Sequence, residues 1–250
     1  MEWQDEGIIL AAAAQGENNL VVHMLTRAHG KHAGLVHGGR SSRHAAQLQL
    51  GNRVKAQWRA RLSDHLGTFS LEALAMPMAN ILDDPLRLAA LQSACAVTAA
   101  ALPEREPHEI LFDALAALFG VLENPWWAAA YVRWEIGVLA ELGFPLALDR
   151  CAVSGARDDL AYVSPRTGRA VGAAAAAPYR DRLLPLPRFL IDPNAPGSGT
   201  AADVLQGLEL TGYFFDRSVF ASLHKPPPQA RERFVDSYRR IARRDAASVA

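Results

Sequence analysis

Between Arg53 and Leu62 the sequence alternates without a break. Val54, Ala56, Trp58, Ala60 and Leu62 take one parity, and Arg53, Lys55, Gln57, Arg59 and Arg61 take the other. That period is what a β-strand imposes, because successive side chains leave opposite faces of a sheet. A chain carrying such a strand must bury its apolar face on a core and offer the polar face to water or a ligand. The neighbouring sequence supplies partner strands. Gly7 to Ala13 and Leu20 to Thr26 read as strands around the turn Gln15-Gly16-Glu17-Asn18-Asn19, and Ala28-His29-Gly30-Lys31 leads into a further strand from His32 to Val36. Short strands at this spacing, up to about residue 75, predict a small closed or nearly closed barrel of the OB or SH3-like kind.

From Asp84 the period becomes helical. Asp84-Pro85 reads as an N-cap followed by a first-turn proline, opening an Ala- and Leu-rich helix that runs to Leu102. After Pro107, Leu111, Leu115, Leu118 and Leu122 keep helical spacing. Asn124-Pro125 reads as the cap of a third helix, with Trp127, Tyr131, Trp134, Val138 and Leu142 on one stripe and Gly143 as its stop. These aromatics, with Phe112, are assigned to the core and not to base stacking. Residues 145–198 are proline-rich and read as a loop-rich insertion. Helical pattern resumes near Thr200, breaks at Pro226-Pro227-Pro228, and ends in a helix that buries Phe234, Tyr238 and Ile241. The expectation is an α+β chain with a β-barrel domain over 1–78 and a helical domain over 79–250.

Charge separates the ends of the chain from its middle. Lysines and arginines equal acids, 26 against 26, which alone argues against a nucleic-acid binder. Yet from Asn18 to Ser63 there is no Asp or Glu, while Arg27, Lys31, Arg40, Arg43, Arg53, Lys55, Arg59 and Arg61 all fall there. An electrostatic footprint on a barrel face is how OB-type domains track a phosphate backbone, so these residues are the candidate nucleic-acid site. Gly38-Gly39-Arg40-Ser41-Ser42-Arg43 adds a loop whose backbone could approach phosphate closely. It lacks the Gly-Lys-Ser/Thr ending of a nucleotide-hydrolysing loop. A second basic cluster, Lys225 to Arg244, closes the chain.

Catalytic chemistry has little support. No Gly-x-Ser-x-Gly, no His-Glu-x-x-His and no dinucleotide fingerprint occurs. Scattered histidines are expected at the surface or hydrogen-bonded. An enzyme using Asp158, Asp159 and Arg166 of the insertion is the weakest alternative. The thiols Cys95 and Cys151 indicate neither a disulfide framework nor a tetrahedral metal site, because Ser154, Gly172 and Ala175 stand where partner ligands would be needed. No cofactor and no metal are expected. The acidic N-terminus and the lack of a long apolar run make secretion or membrane insertion unexpected and a cytoplasmic setting the better fit.

Taken in order, these segments resemble the RecO family across nearly the whole chain. Glu6-Gly7-Ile8-Ile9-Leu10, Gly16-Glu17-Asn18 and Leu25-Thr26-Arg27-Ala28-His29-Gly30-Lys31 are similar to that family's first hairpin. Gly38-Gly39-Arg40-Ser41 and Leu48-Gln49-Leu50-Gly51 resemble its next loop and its step into the basic strand. Arg133-Trp134-Glu135, Leu142-Gly143-Phe144 and Cys151 resemble its third helix and the entry to its zinc-finger region, and Lys225-Pro226 to Phe234 its C-terminal segment. The resemblance implies an N-terminal OB fold, a helical bundle and a zinc-finger-like insertion over 145–198, degenerate here because only Cys151 survives. It further implies a nucleoid-associated mediator of DNA repair and recombination that is not an enzyme. Such a protein binds single- and double-stranded DNA, anneals complementary strands, contacts the C-terminal tail of the single-stranded DNA-binding protein, and joins RecR in loading RecA. Arg133 is the candidate edge of the tail-binding groove. The rival reading is an OB-fold RNA-binding factor, since phosphate contacts alone do not separate DNA from RNA.

Overall fold

The computed structural model of the protein describes residues 1–41, 46–192 and 199–249. The chain divides into two compact units, 1–123 with 228–231, and 124–227 with 232–250.

In the first unit five strands, β1 (Glu2–Gln15), β2 (Asn19–Thr26), β3 (Gly30–Val36), β4 (Arg53–Arg59) and β5 (Thr68–Ala75), close in the order β1-β2-β3-β5-β4. Closure depends on β1 being long. Glu2 to Ile8 pair with β4 and Gly7 to Gln15 pair with β2, with the register shifting between Ile9 and Ala11. Such a bulge bends a strand and lets it serve two neighbours. The last seam is a short parallel contact between Leu35 and Thr68. The backbone approaches closely there because residue 34 is glycine; a Cβ at Gly34 would stand 2.4 Å from the Phe69 ring.

The alternation in β4 is realised as expected over its central residues. Val54, Ala56 and Trp58 are buried with Ile9, Val22, Met24, Val36, Leu48 and Phe69 inside the barrel, and the Trp58 indole N–H donates to the Leu66 carbonyl at 3.0 Å. The strand is shorter than the alternation suggested. It ends at Arg59, so Arg61 and Leu62 lie on the loop to β5, and Leu62 is 54% exposed. His32 departs from the expected surface or hydrogen-bonded histidine. It is buried among Trp3, Trp58 and Phe69, and neither ring nitrogen has a hydrogen-bond partner. Burial holds its pKa down at about 4.

Helices α1 (Pro85–Ala101) and α2 (Glu109–Gly120) complete this unit. Asp84 caps α1 as its sequence predicts, its carboxylate accepting from the N–H groups of Leu86 and Arg87 at 3.0 Å each. Ala90, Leu91, Ala94 and Cys95 form the buried face of α1, which packs on β1 and β2. Leu25 of β2 is fully buried.

In the second unit α3 (Trp127–Glu141) buries Trp127, Tyr131, Trp134 and Val138. Tyr131 meets Phe234 of the C-terminal helix α5 (Gln229–Val249) with ring centroids 4.7 Å apart. Asn124 does not cap α3 through its side chain. Trp126 occupies the N-cap position, and Asn124 contributes only its carbonyl to the Trp127 N–H. At the other end Gly143, at φ +89°, lets the N–H groups of Gly143 and Phe144 turn back to the carbonyls of Ala140 and Leu139. Helix α4 (Ala201–Phe214) lies close to α3 because Gly207 faces Val132. The buried Glu135 carboxylate accepts from the Thr211 hydroxyl across that contact. The segment expected to be loop-rich contains a three-stranded sheet, β7-β6-β8, built from β6 (Leu160–Val163), β7 (Ala170–Gly172) and β8 (Leu184–Pro185). Among the described residues no helix is long and apolar enough to cross a membrane.

Candidate nucleic-acid interface

The eight candidate cations do not form one uninterrupted basic face. Arg27 donates to Asp113 of α2, with a second guanidinium nitrogen 2.7 Å from that carboxylate, and lies over the Phe112 ring at 4.6 Å. The bond holds the Asp113 carboxyl below its ordinary pKa and raises that of Arg27. Lys31 donates to the Ala99 carbonyl at 2.8 Å and approaches Glu104 at 3.4 Å, with only 12% of its side chain exposed. These two cations fasten helices to the barrel.

On β4 the outward residues stand between acids from both neighbouring strands. Glu2 lies opposite Arg59 and Glu6 opposite Lys55 on β1, while Glu72 lies opposite Lys55 on β5. Arg59 donates to Glu2 at 2.9 Å, which pulls the Glu2 carboxyl below its usual range. Arg53 sits 3.9 Å from Glu6. The expectation of an almost wholly basic face therefore needs correction. The window free of acids in sequence is not free of acids in space, because the strands beside β4 come from outside that window.

Arg40, Lys55 and Arg61 are exposed and have no salt bridge or hydrogen bond from the side chain among the described residues. Arg43 lies outside the described residues. The N–H of Arg40 donates to the Asn18 carbonyl at 3.2 Å, which seats the start of the β3–β4 connection beside the β1–β2 turn. Arg61 rides the β4–β5 loop. Leu35 donates to the Gly67 carbonyl at the end of that loop, and the Arg105 guanidinium bonds the Ser63 and His65 carbonyls within it. Sequence reasoning missed Arg105. Its signal, a non-glycine backbone at φ +62°, exists only in three dimensions. The acids Glu2 and Glu6 were legible in principle, since Glu2, Gln4 and Glu6 alternate with Trp3, but a strand begun at Gly7 omits them.

Arg133 is half-buried and spoken for. It donates to the Phe189 carbonyl at 2.7 Å and lies over the Phe189 ring at 5.5 Å. In the insertion the Cys151 sulfur accepts from the backbone N–H groups of Val153, Ser154 and Gly172 at 3.3–3.5 Å. The Ser154 side chain foremost, together with these N–H donors, brings its pKa down to about 6. A Cβ at Gly172 would lie 3.8 Å from that sulfur. Ser154 and Gly172 thus occupy the surroundings in which zinc would need further thiolate or imidazole donors, so the residues present do not fit the metal. Among the described residues no group of three or more His, Cys, Asp or Glu could hold a metal ion.

Comparison with known proteins decides the family. The sequence model described as Recombination protein O N terminal matches residues 1–76, and that described as Recombination protein O C terminal matches residues 82–227. The chain belongs to the RecO family. It is 57% identical over 242 residues to the DNA repair protein RecO of Rhodospirillum centenum, covering 96% of each chain. To the protein of the same name from Rhodospirillum rubrum it is 49% identical over 251 residues, covering 98% of this chain and 99% of the relative. The Phenylobacterium zucineum relative, also named DNA repair protein RecO, is 49% identical over 237 residues, 94% of this chain and 97% of its own. RecO membership supports a role in DNA repair.

Proposed function

We propose that this chain is a non-enzymatic DNA-repair mediator whose barrel holds phosphate backbones of single- and double-stranded DNA and anneals complementary strands. In this reading it works at the nucleoid, binds the tail of the single-stranded DNA-binding protein, and joins RecR in loading RecA. The observation that carries the reading is the set of exposed cations Arg40, Lys55 and Arg61, without ion-pair partners among the described residues, on a five-stranded barrel in a RecO chain. The strand order β1-β2-β3-β5-β4 suits an OB fold, whose turns and connecting loops bind oligonucleotides.

The eight cations then divide by role. Arg40, Lys55 and Arg61, with Arg43, make the first phosphate contacts. Arg53 and Arg59 join them by exchanging exposed carboxylate partners for phosphate, since surface ion pairs are weak. Arg27 and Lys31 hold the scaffold. Neutralising phosphates lowers the mutual repulsion of two strands, so contacts of this kind favour annealing with little dependence on sequence. The functional division into a barrel domain over 1–78 and a helical domain over 79–250 follows the same logic. The insertion is a zinc-finger-like element that has lost its metal, with Cys151 retained as a hydrogen-bonded knuckle.

The test is annealing of complementary fluorescent oligonucleotides with and without the cognate single-stranded DNA-binding protein. The reading requires acceleration in both cases and weaker competition by RNA than by DNA of the same length. Absence of acceleration would refute the mediator role, and stronger competition by RNA would favour an RNA-binding factor.

A further inference from the structure

The C-terminal helix carries a second basic surface that the barrel reading leaves unused. Helix α5 contains six arginines and no lysine, set against Glu232, Asp236 and Asp245. Arg231 is buried. Arg239 is engaged by Asp236 at 2.6 Å and Glu209 at 3.4 Å. Arg233, Arg240, Arg243 and Arg244 remain exposed, and among the described residues none has a carboxylate partner. Residues 233, 237, 240 and 244 share one helical stripe. Arg240 donates to Ser237 within it at 2.9 Å, and Arg243 flanks it. The stripe from 233 to 244 is about 16 Å long at the rise of an α-helix.

Ordinary explanations do not account for this stripe. Basic residues stabilise a helix end only within the last turn, and the last turn of α5 holds none. Among the described residues, intrahelical ion pairing accounts for Arg239 and not for the other exposed arginines. An anionic membrane surface would need an apolar face to insert, yet the face opposite the stripe, with Phe234, Val235, Tyr238 and Ala242, is buried in the protein. Arginine forks bind phosphate oxygens in pairs, and a straight row of them matches a repeating polyanion better than a single anion.

We infer that Arg233, Arg240 and Arg244, flanked by Arg243, form a second site for a nucleic-acid phosphate backbone, separate from the barrel. The inference rests on the DNA-binding reading above and deepens it. A protein with two phosphate surfaces can hold one strand on each, which adds to the charge neutralisation that favours annealing.

The experiment compares full-length wild type with Arg233→Ala/Arg240→Ala/Arg244→Ala, titrating a labelled 30-nucleotide single strand and the matching duplex across a range of NaCl concentrations. A control, Arg166→Ala/Arg180→Ala/Arg182→Ala, removes the same charge from exposed positions of the insertion. The stripe variant should bind about tenfold more weakly near 0.1 M salt, with a log–log salt slope shallower by about 2. The control should match wild type. Arg233→Lys/Arg240→Lys/Arg244→Lys retains the charge and should recover most of the slope, which separates lost contacts from a damaged helix. Binding by the stripe variant equal to wild type, or an equal loss in the control, would overturn the second site while leaving the barrel reading intact. Absence of binding by wild type would overturn both.

Discussion

Glu2 lies directly across the sheet from Arg59, its carboxylate 2.9 Å from the guanidinium, at the edge of the strand whose outward residues were expected to be basic. Together with Glu6 it makes β1 an acidic border on the proposed DNA surface. Both acids repel phosphate and occupy arginines that could bind it. Glu2→Gln with Glu6→Gln should therefore tighten DNA binding, by roughly 3- to 10-fold at low salt, with an advantage that shrinks as salt rises. Fluorescence anisotropy against NaCl checks this. Weaker binding by the variant would mean that the acids organise the surface and do not mask it.

Asp84 accepts from two N–H groups at the start of α1 and so satisfies donors that otherwise have no partner. Asp84→Ala should cost about 1 kcal/mol of stability. A urea titration followed by circular dichroism measures it, and Asp84→Asn should recover most of the loss because the amide oxygen still accepts.

His32 makes the barrel acid-sensitive. The unfolded chain binds its proton near pH 6.5, while the folded barrel does so only near about 4, chiefly through burial and secondly through the nearby positive charge of Arg105. Stability from this group is therefore complete above pH 6.5 and falls as the pH drops toward 4, by on the order of 3 kcal/mol. His32→Leu should flatten the stability profile between pH 7 and 4.5. A profile as steep as wild type would assign the acid sensitivity to carboxylates.

Cys151 and Cys95 should behave as opposites. Burial pushes the Cys95 thiol up to about 12, while the Ser154 side chain, helped by backbone N–H donors, brings Cys151 down to about 6. Thiolate absorbance should rise around pH 6 in wild type and in Cys95→Ala, but not in Cys151→Ala. A single transition near pH 9 would contradict the hydrogen-bonded knuckle.

The fold was legible where a local period matched a burial requirement. The alternation of Val54, Ala56 and Trp58 placed them inside the barrel, the spacing of Leu111, Leu115 and Leu118 placed them in a helical core, and Asp84-Pro85 marked a helix start. The candidate site was legible only in part, because charge is a property of spatial neighbours. Glu72 stands opposite Lys55 in the sheet and Asp113 pairs with Arg27 from a helix, and no local pattern encodes which strands flank β4 or which helix meets the β2–β3 turn. His32 went unrecognised for the same reason. Its alternation with Lys31 and Ala33 marks a face, but the aromatic box that surrounds it is assembled from three other strands.

The most direct measurement is the salt dependence of DNA affinity for Arg40→Ala/Lys55→Ala/Arg61→Ala beside Arg27→Ala/Lys31→Ala. If the exposed barrel cations hold the phosphate backbone, the triple variant loses about 2 from the log–log slope, at ~0.7–0.9 per contact, while retaining its fold. The double variant should lose thermal stability and little of the slope. A triple variant with the slope of wild type would contradict the account.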